Sequence, residues 1–343
     1  MVRNRESYKV QFLILICAFI AAVLISVLLG RYSLSIDQFF KVIISKLPFV
    51  HITQTWPGRA ENVLFQIRLP RIACAVLIGA ALSMAGVCYQ GMFRNPMVSP
   101  DILGASTGAG FGAALSILLG AGYFMISTTA FVFGLGAVML AYTVSRLSKT
   151  NATLALILGG MVISALFSAG TSYIKLVADT QEQLPAITYW LMGSLSSIKP
   201  KDLLFILIPI AIGMLPLFFL RWRLNLLTVE EDTAKSVGIN ITVLRVVVII
   251  CATLLTAASV SVSGMIGWVG LVIPHFCRII FGYDYRRLIP ATALFGATFL
   301  LVVDDIARLA TTAEIPLGIL TSFVGCPLFL YLLFTGGGYK KNA

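Results

Sequence analysis

The segment Val10–Leu29 reads VQFLILICAFIAAVLISVLL, and Gln11 is its only strongly polar residue. At about 1.5 Å per residue, a helix of this length spans about 30 Å, which is the hydrocarbon thickness of a bilayer. Arg3, Arg5 and Lys9 precede the run, and the residues after it do not resemble a signal-peptide cleavage site. The sequence therefore predicts an uncleaved first transmembrane helix.

The rest of the chain is also rich in hydrophobic residues and poor in charged ones. Of its 343 residues, 59% are hydrophobic and only 11% are charged, whereas an average soluble protein has about 25% charged residues. This composition excludes a soluble domain and intrinsic disorder. We expect an all-α, polytopic membrane protein of about ten transmembrane helices, with residues 1–343 forming a single domain. The further apolar runs lie near residues 72–89, 102–120, 123–145, 152–174, 202–220, 242–262, 266–282, 288–307 and 315–335.

The net charge of +11 comes from short basic clusters between the apolar runs. Ten spans place both termini on one side, and the side that holds the termini carries the larger share of Lys and Arg. The positive-inside rule then predicts cytoplasmic termini in a cell membrane. A nucleic-acid partner would need a solvated basic face, which the pattern lacks.

Enzyme motifs are missing from the sequence. It has no GxxxxGK[ST] phosphate-binding loop and no HExxH, and its six cysteines lie singly in apolar stretches. The stretch Gly104-Ala105-Ser106-Thr107-Gly108 matches GxSxG, but it lies inside an apolar run and not at a turn between a strand and a helix, so it is not a nucleophile elbow. We therefore expect no enzymatic activity, no metal site and no cofactor in this chain. Asp304 and Asp305 are acidic residues inside an apolar run, beside Arg308. They leave open an ion-coupled secondary transporter, but a local ion pair with Arg308 explains them better.

The longest polar segment on the predicted cytoplasmic side is residues 221–240. It contains the pattern E-x-x-A-x-x-x-G, formed by Glu231, Ala234 and Gly238, with Asp232 after the glutamate. Acidic residues suit the start of a short helix, and Gly238 suits a left-handed turn at its end. The pattern indicates either a contact for a motor subunit or an ordinary capped surface helix.

A collinear set of motifs between about residues 60 and 335 carries a family resemblance. The chain resembles the FecCD-type permeases of type II ABC importers, which carry iron–siderophore complexes, haem and vitamin B12. The motifs include Arg68-Leu69-Pro70-Arg71, Gly79-Ala80-Ala81-Leu82, Arg94-Asn95-Pro96-Met97, Trp190-Leu191-Met192-Gly193-Ser194, Gly267-Trp268-Val269-Gly270 and Glu314-Ile315-Pro316-Leu317-Gly318.

The resemblance implies a ten-helix permease that works as a homodimer. It also implies two ATPase subunits that hold ATP and Mg, and an extracytoplasmic substrate-binding protein. The expected cargo is an iron–siderophore or related metal chelate, with haem or cobalamin (vitamin B12) as the alternatives within the family.

Roles for individual residues follow from the same resemblance. The implied docking residues for the binding protein are Arg68, Arg71 and Arg308, although they would also suit as anchors at the membrane surface. The implied coupling residues for the ATPase are Glu231, Asp232, Ala234 and Gly238. The implied cytoplasmic gate comprises Asn95, Met97, Thr153 and Leu154, where Asn95-Pro96 is also an ordinary turn signal.

Overall fold

The computed structural model describes residues 5–32, 35–46, 54, 56–149, 151–229 and 238–334. These residues form thirteen α-helices, and no strand occurs among them. The helices are α1 (Arg5–Leu28), α2 (Ile36–Ile44), α3 (Gly58–Asn62), α4 (Leu69–Met92), α5 (Ala105–Leu118), α6 (Tyr123–Leu147), α7 (Ala152–Val177), α8 (Gln183–Met192), α9 (Pro200–Phe219), α10 (Ile241–Ser263), α11 (Val269–Phe281), α12 (Tyr285–Leu309) and α13 (Leu317–Phe334).

Seven helical segments are long and apolar enough to cross a bilayer: α1, α3 continued into α4, α6, α7, α9, α10 and α12. Three shorter apolar helices, α5, α11 and α13, cover the remaining predicted runs. The all-α membrane fold is therefore confirmed, and the count of ten spans is approximate because these three helices are short. Helix α8 was not predicted from the sequence.

Helix α4 lies at the centre of the bundle. All but four of its 24 residues are buried, and it packs against α9, α10, α11 and α12. A methyl group added at Gly86 would overlap the backbone of Gly270 in α11, and one at Gly79 would overlap the backbone of Gly296 in α12. The helices cross with their backbones in contact, which is how small residues promote association in lipid.

The outer surface of the bundle is apolar. Large hydrophobic side chains are exposed on α1, α6, α7 and α9, among them Leu13, Met139, Val162 and Leu204. Such faces suit contact with acyl chains or with another apolar helix.

We predict that Gly86→Ala destabilises the protein, because the new methyl group must separate two helix backbones. Overpacking of this kind costs about 1–3 kcal/mol. The control is Gly136→Ala in α6, where an added methyl group meets nothing within 4 Å. Thermal unfolding of the two purified variants in detergent would measure the difference, and equal midpoints would contradict the backbone contact.

Candidate functional site

A cluster of charged side chains joins the last turn of α1, the first turn of α4 and the last turns of α12. We call it the arginine network: Arg68, Arg71, Asp304, Asp305, Arg308 and Glu314. Its centre is Arg71, whose Nε and Nη2 donate to Asp304 at 2.9–3.1 Å. Nη1 and Nη2 of Arg71 also donate to Glu314 at 2.9 Å. The side chains of Arg71 and Asp304 are only 8% and 1% exposed, so this bidentate pairing keeps both charges satisfied in the interior.

The other two arginines of the network hold α1 in place. Arg308 pairs with Asp305, which also accepts a hydrogen bond from Ser26 Oγ at 2.7 Å. Arg308 Nη2 donates to the carbonyl oxygen of Ser26 at 2.7 Å. Arg68 donates to the carbonyl oxygens of Val27, at 2.9 Å, and Tyr32. The bonds to Ser26 and Val27 satisfy carbonyl groups that the end of α1 leaves without helical partners.

The three predicted docking residues thus lie together at one end of the bundle. Arg68, Arg71 and Arg308 are 3%, 7% and 7% exposed, and each guanidinium group is bonded within the chain. Their contacts indicate a structural role in this conformation, and docking of a binding protein stays a prediction. Asp305 forms the expected local pair with Arg308, whereas Asp304 pairs with Arg71. Neither carboxylate is left uncommitted for ion coupling in these contacts.

The opposite end of the bundle holds the turn after α4. Arg94 has a left-handed backbone conformation, with φ at 50°. Its Nε donates to the carbonyl oxygen of Leu227 at 3.0 Å, and its Nη2 donates to that of Val229. The adjacent Asn95 accepts a hydrogen bond from the Met97 backbone at 2.9 Å, which closes the turn. Arg94 therefore joins the turn after α4 to the polar segment that leads into residues 230–237.

A second set of bonds fixes the same polar segment to α12 and α4. Asn225 Nδ2 donates to Asp284 at 3.0 Å, and Asn225 Oδ1 accepts from the Tyr285 backbone at 3.0 Å. The hydroxyl group of Tyr285 donates to the carbonyl oxygen of Val87 in α4 at 3.2 Å. We call Arg94, Asn225, Asp284 and Tyr285, with the carbonyl groups they bind, the polar junction.

Three of the four predicted coupling residues, Glu231, Asp232 and Ala234, lie outside the described residues. Gly238 is described. Its φ of 75° is left-handed, as the sequence predicts, and a methyl group there would meet nothing within 4 Å. The coupling role of the pattern stays a prediction.

Two of the predicted gate residues line different cavities among the described residues. Asn95 lines a cavity of about 270 Å³ beside Arg94 and Arg278, whereas Thr153 lines one of about 290 Å³ beside Tyr142. Met97 and Leu154 are 45% and 50% exposed. The gate also stays a prediction.

One half-buried acid near this turn was not anticipated. Asp101, between the turn and α5, accepts hydrogen bonds from Ser99 and Ser106. Burial raises the pKa of the Asp101 carboxyl group, and the two hydroxyl donors lower it in part. Both donors lie within five residues of Asp101 in the sequence, so their hydrogen bonds hold the turn before α5 in place.

A cavity of about 660 Å³ lies between the end of α8, the loop before α11, and α13. Its ten lining residues include no charged side chain; Met192, Met265, Ser322, Phe323 and Cys326 are among them. We call it the apolar cavity. Nothing in the sequence pattern alone indicates it, because its walls come from three distant segments.

Three backbones meet beside the apolar cavity without space for side chains. A methyl group at Gly193 would lie 2.5 Å from the carbonyl oxygen of Met265, and one at Gly318 would lie 2.5 Å from that of Met192. Gly193 is also left-handed, with φ at 76°. The backbone N–H of Leu317 donates to the carbonyl oxygen of Gly193 at 2.8 Å. The backbone N–H of Ser194 donates to the carbonyl oxygen of Ser263 at 2.7 Å. The contact is therefore a fixed junction of main chains.

Among the described residues, no group of three or more His, Cys, Asp and Glu side chains is arranged to hold a metal ion. The contacts above bind, brace and connect helices, and they include no arrangement for covalent chemistry.

Comparison with known proteins shows where such a chain belongs. The profile of the FecCD transport family matches residues 17–335. The molybdate import system permease protein MolB of Haemophilus influenzae is 42% identical over 97% of this chain and 98% of its own length. The Helicobacter pylori protein named "Probable iron chelatin transport system permease protein" is 39% identical over 96% of this chain and 99% of its own length. Relatives named for cobalamin and hemin transport also match.

A solved structure described as "An inward-facing conformation of a putative metal-chelate type ABC transporter" matches with a TM-score of 0.85. It is 41% identical, and the match covers 95% of this chain and 99% of that chain. The chain therefore belongs to the FecCD transport family, and its fold is that of an ABC importer permease.

Proposed function

We propose that this chain is the membrane subunit of an ATP-driven importer that moves a metal chelate, of the iron–siderophore kind, into the cytoplasm. Two copies would form the membrane unit, with two ATPase subunits on the cytoplasmic side and a binding protein on the other side. Haem and cobalamin remain the alternatives within the family. The apolar cavity, in a chain of this family, is the observation that carries the proposal.

The chemistry of the apolar cavity favours a chelate as cargo. A chelate encloses the charge of its metal and presents organic surface, so it loses little hydration against uncharged walls. A bare dianion such as molybdate would lose strong hydration there without gaining charged partners. The volume of about 660 Å³ also lies within the usual range for small-molecule sites, about 300–1,000 Å³.

Molybdate is nevertheless a second candidate, because a relative with 42% identity is named for molybdate import. The same transport experiment separates the two cargoes.

ATP and Mg would bind the ATPase subunits, since this sequence has no phosphate-binding loop. Force from those subunits would have to enter through the segment at residues 221–240. The polar junction supports this route, because Arg94 bonds that segment to the turn that carries Asn95 and Met97. The junction end of the bundle would be cytoplasmic, together with both termini.

The arginine network would then face the binding protein. Glu314 is the most exposed member of the Arg71 pairs, with 22% of its side chain exposed. A carboxylate of the binding protein would reach Arg71 by replacing Glu314, while Asp304 stays bound. This exchange reconciles the proposed docking role with the contacts within the chain.

The proposal predicts ATP-dependent uptake in proteoliposomes. With the ATPase subunits, the binding protein and ATP, a ⁵⁵Fe-labelled ferric siderophore should accumulate inside, and unlabelled chelate should compete. Haem, cobalamin and molybdate, each offered as competitor and as labelled cargo, test the alternatives. Accumulation by this chain alone under a proton or sodium gradient would contradict the proposal.

Replacement of Arg94 should separate ATP hydrolysis from transport. Arg94→Gln removes charge-assisted hydrogen bonds, each worth about 1.5–3 kcal/mol, while the segment keeps its sequence. We expect transport per ATP hydrolysed to fall about tenfold or more in the reconstituted complex. Arg223→Gln, an exposed position in the same segment, is the control and should have little effect. Unchanged transport stoichiometry in Arg94→Gln would contradict the route.

Removal of the charge at Glu314 should strengthen docking. Glu314→Gln weakens the bond that competes with the binding protein but keeps Arg71 paired with Asp304. We expect the affinity for the binding protein to rise by roughly fivefold, within the range of about 1 kcal/mol for partly exposed pairs. Glu182→Gln, an exposed residue before α8, is the control. An unchanged or lower affinity, measured by biolayer interferometry in nanodiscs, would leave Arg71 with a structural role only.

A further inference from the structure

A cavity on the outer surface of the bundle combines cations with apolar side chains. It measures about 590 Å³ and lies between the start of α1 and the start of α12. Its lining consists of Tyr8, Lys9, Phe12, Leu13 and Ile16 from α1, and Asp284, Arg286 and Arg287 from α12. We call it the α1–α12 groove. Of its lining residues, only Asp284 also belongs to the polar junction, through its bond to Asn225.

The charges of the groove are predominantly positive. Lys9, Arg286 and Arg287 supply three positive charges, and Asp284 supplies one negative charge, so the groove carries a net charge of +2. Asp284 is already bonded to Asn225 and to the backbone of Arg286, at 3.0 Å each. Among the described ion pairs, none involves a cation of the groove.

The cations lie in defined positions. The guanidinium carbon of Arg287 is 3.8 Å from the centre of the Tyr8 ring, and that of Arg286 is 5.8 Å from the centre of the Trp222 ring. These cation–π contacts hold the charges near the mouth of the groove without neutralising them.

The apolar part of the groove extends along the membrane-spanning helix. Lys9, Leu13 and Ile16 follow one another at helical spacing on α1, so the cation and the last apolar side chain are about 10 Å apart along the axis. Leu13 and Ile16 are 59% and 43% exposed. Phe12 packs on Phe281 with ring centroids 4.6 Å apart, which closes the floor of the groove. The groove is therefore charged where the two helices begin, and it continues as an apolar slot along α1 toward the bilayer centre.

We propose that the α1–α12 groove is a binding site for an anionic phospholipid. The headgroup phosphate would bind Lys9, Arg286 and Arg287, and an acyl chain would lie along Leu13 and Ile16. Basic pockets between transmembrane helices recognise anionic headgroups by this chemistry. The groove adjoins Asp284 and Asn225 of the polar junction, so the bound lipid would brace the end of the bundle that we propose to be cytoplasmic.

Native mass spectrometry of the purified full chain, mixed with defined lipids, tests the site. We expect retention of one phosphatidylglycerol molecule in preference to phosphatidylcholine of the same acyl chains. Lys9→Gln with Arg286→Gln should weaken phosphatidylglycerol binding by roughly 25-fold, since each cation near the surface contributes about 1 kcal/mol and 1.4 kcal/mol corresponds to a factor of ten. Arg287 is kept in this variant because it packs on Tyr8.

The matched control is Lys149→Gln with Arg223→Gln, which removes the same charge from two exposed positions outside the groove. It should bind as the unaltered chain does. Ile16→Trp, which fills the apolar slot without a change of charge, should weaken binding as well.

Each contrary result overturns the proposal in a distinct way. Equal retention of both lipids would show that the groove does not select an anionic headgroup. An equal loss in the control variant would show attraction to the whole basic surface. Displacement of the lipid by inorganic phosphate or glycerol phosphate at similar concentration would reveal a site for free anions. Unchanged binding in Ile16→Trp would show that no acyl chain lies along Ile16.

Discussion

The contact of the α4 backbone with α11 and α12 is the constraint on which this molecule depends. A membrane bundle gains little from burying apolar side chains, because lipid is as apolar as the interior. Close approach at Gly79 and Gly86 supplies the missing stabilisation through dispersion and allows α4 to be enclosed on most sides. Both polar clusters are then attached to the two ends of this one helix, through Arg71 and through Arg94.

The polar groups at the two ends of α4 bind different kinds of partner. In the arginine network, guanidinium groups pair with carboxylates, and Arg71 holds Asp304 in bidentate geometry. In the polar junction, Arg94 instead binds main-chain carbonyl groups of a neighbouring segment. The carboxylate pairs stabilise the end of the bundle where α4 begins. The bonds from Arg94 make the polar segment follow the other end of α4, which suits transmission of movement.

Much of the fold was accessible from sequence, because an apolar run of bilayer length has few other structures available. The ten runs correspond to helices for this reason, and Gly238 has the left-handed conformation that its pattern predicts. The pairing of Arg71 with Asp304 was not accessible, since it joins positions 233 residues apart. Bonds from Arg94 to carbonyl groups leave no residue signature, and α8 has no periodicity that separates it from a loop. The apolar cavity arises only when three segments meet.

The contact of main chains at Gly193 and Gly318 restricts how the walls of the apolar cavity can vary. At each position a neighbouring carbonyl oxygen leaves no space for a larger residue, so a substitution there would separate the main chains. The side chains that line the cavity, such as Ser322, Phe323 and Cys326, are not restricted in this way. A change of cargo would then have to be accommodated by these side chains, while the main-chain contact beside them keeps its spacing.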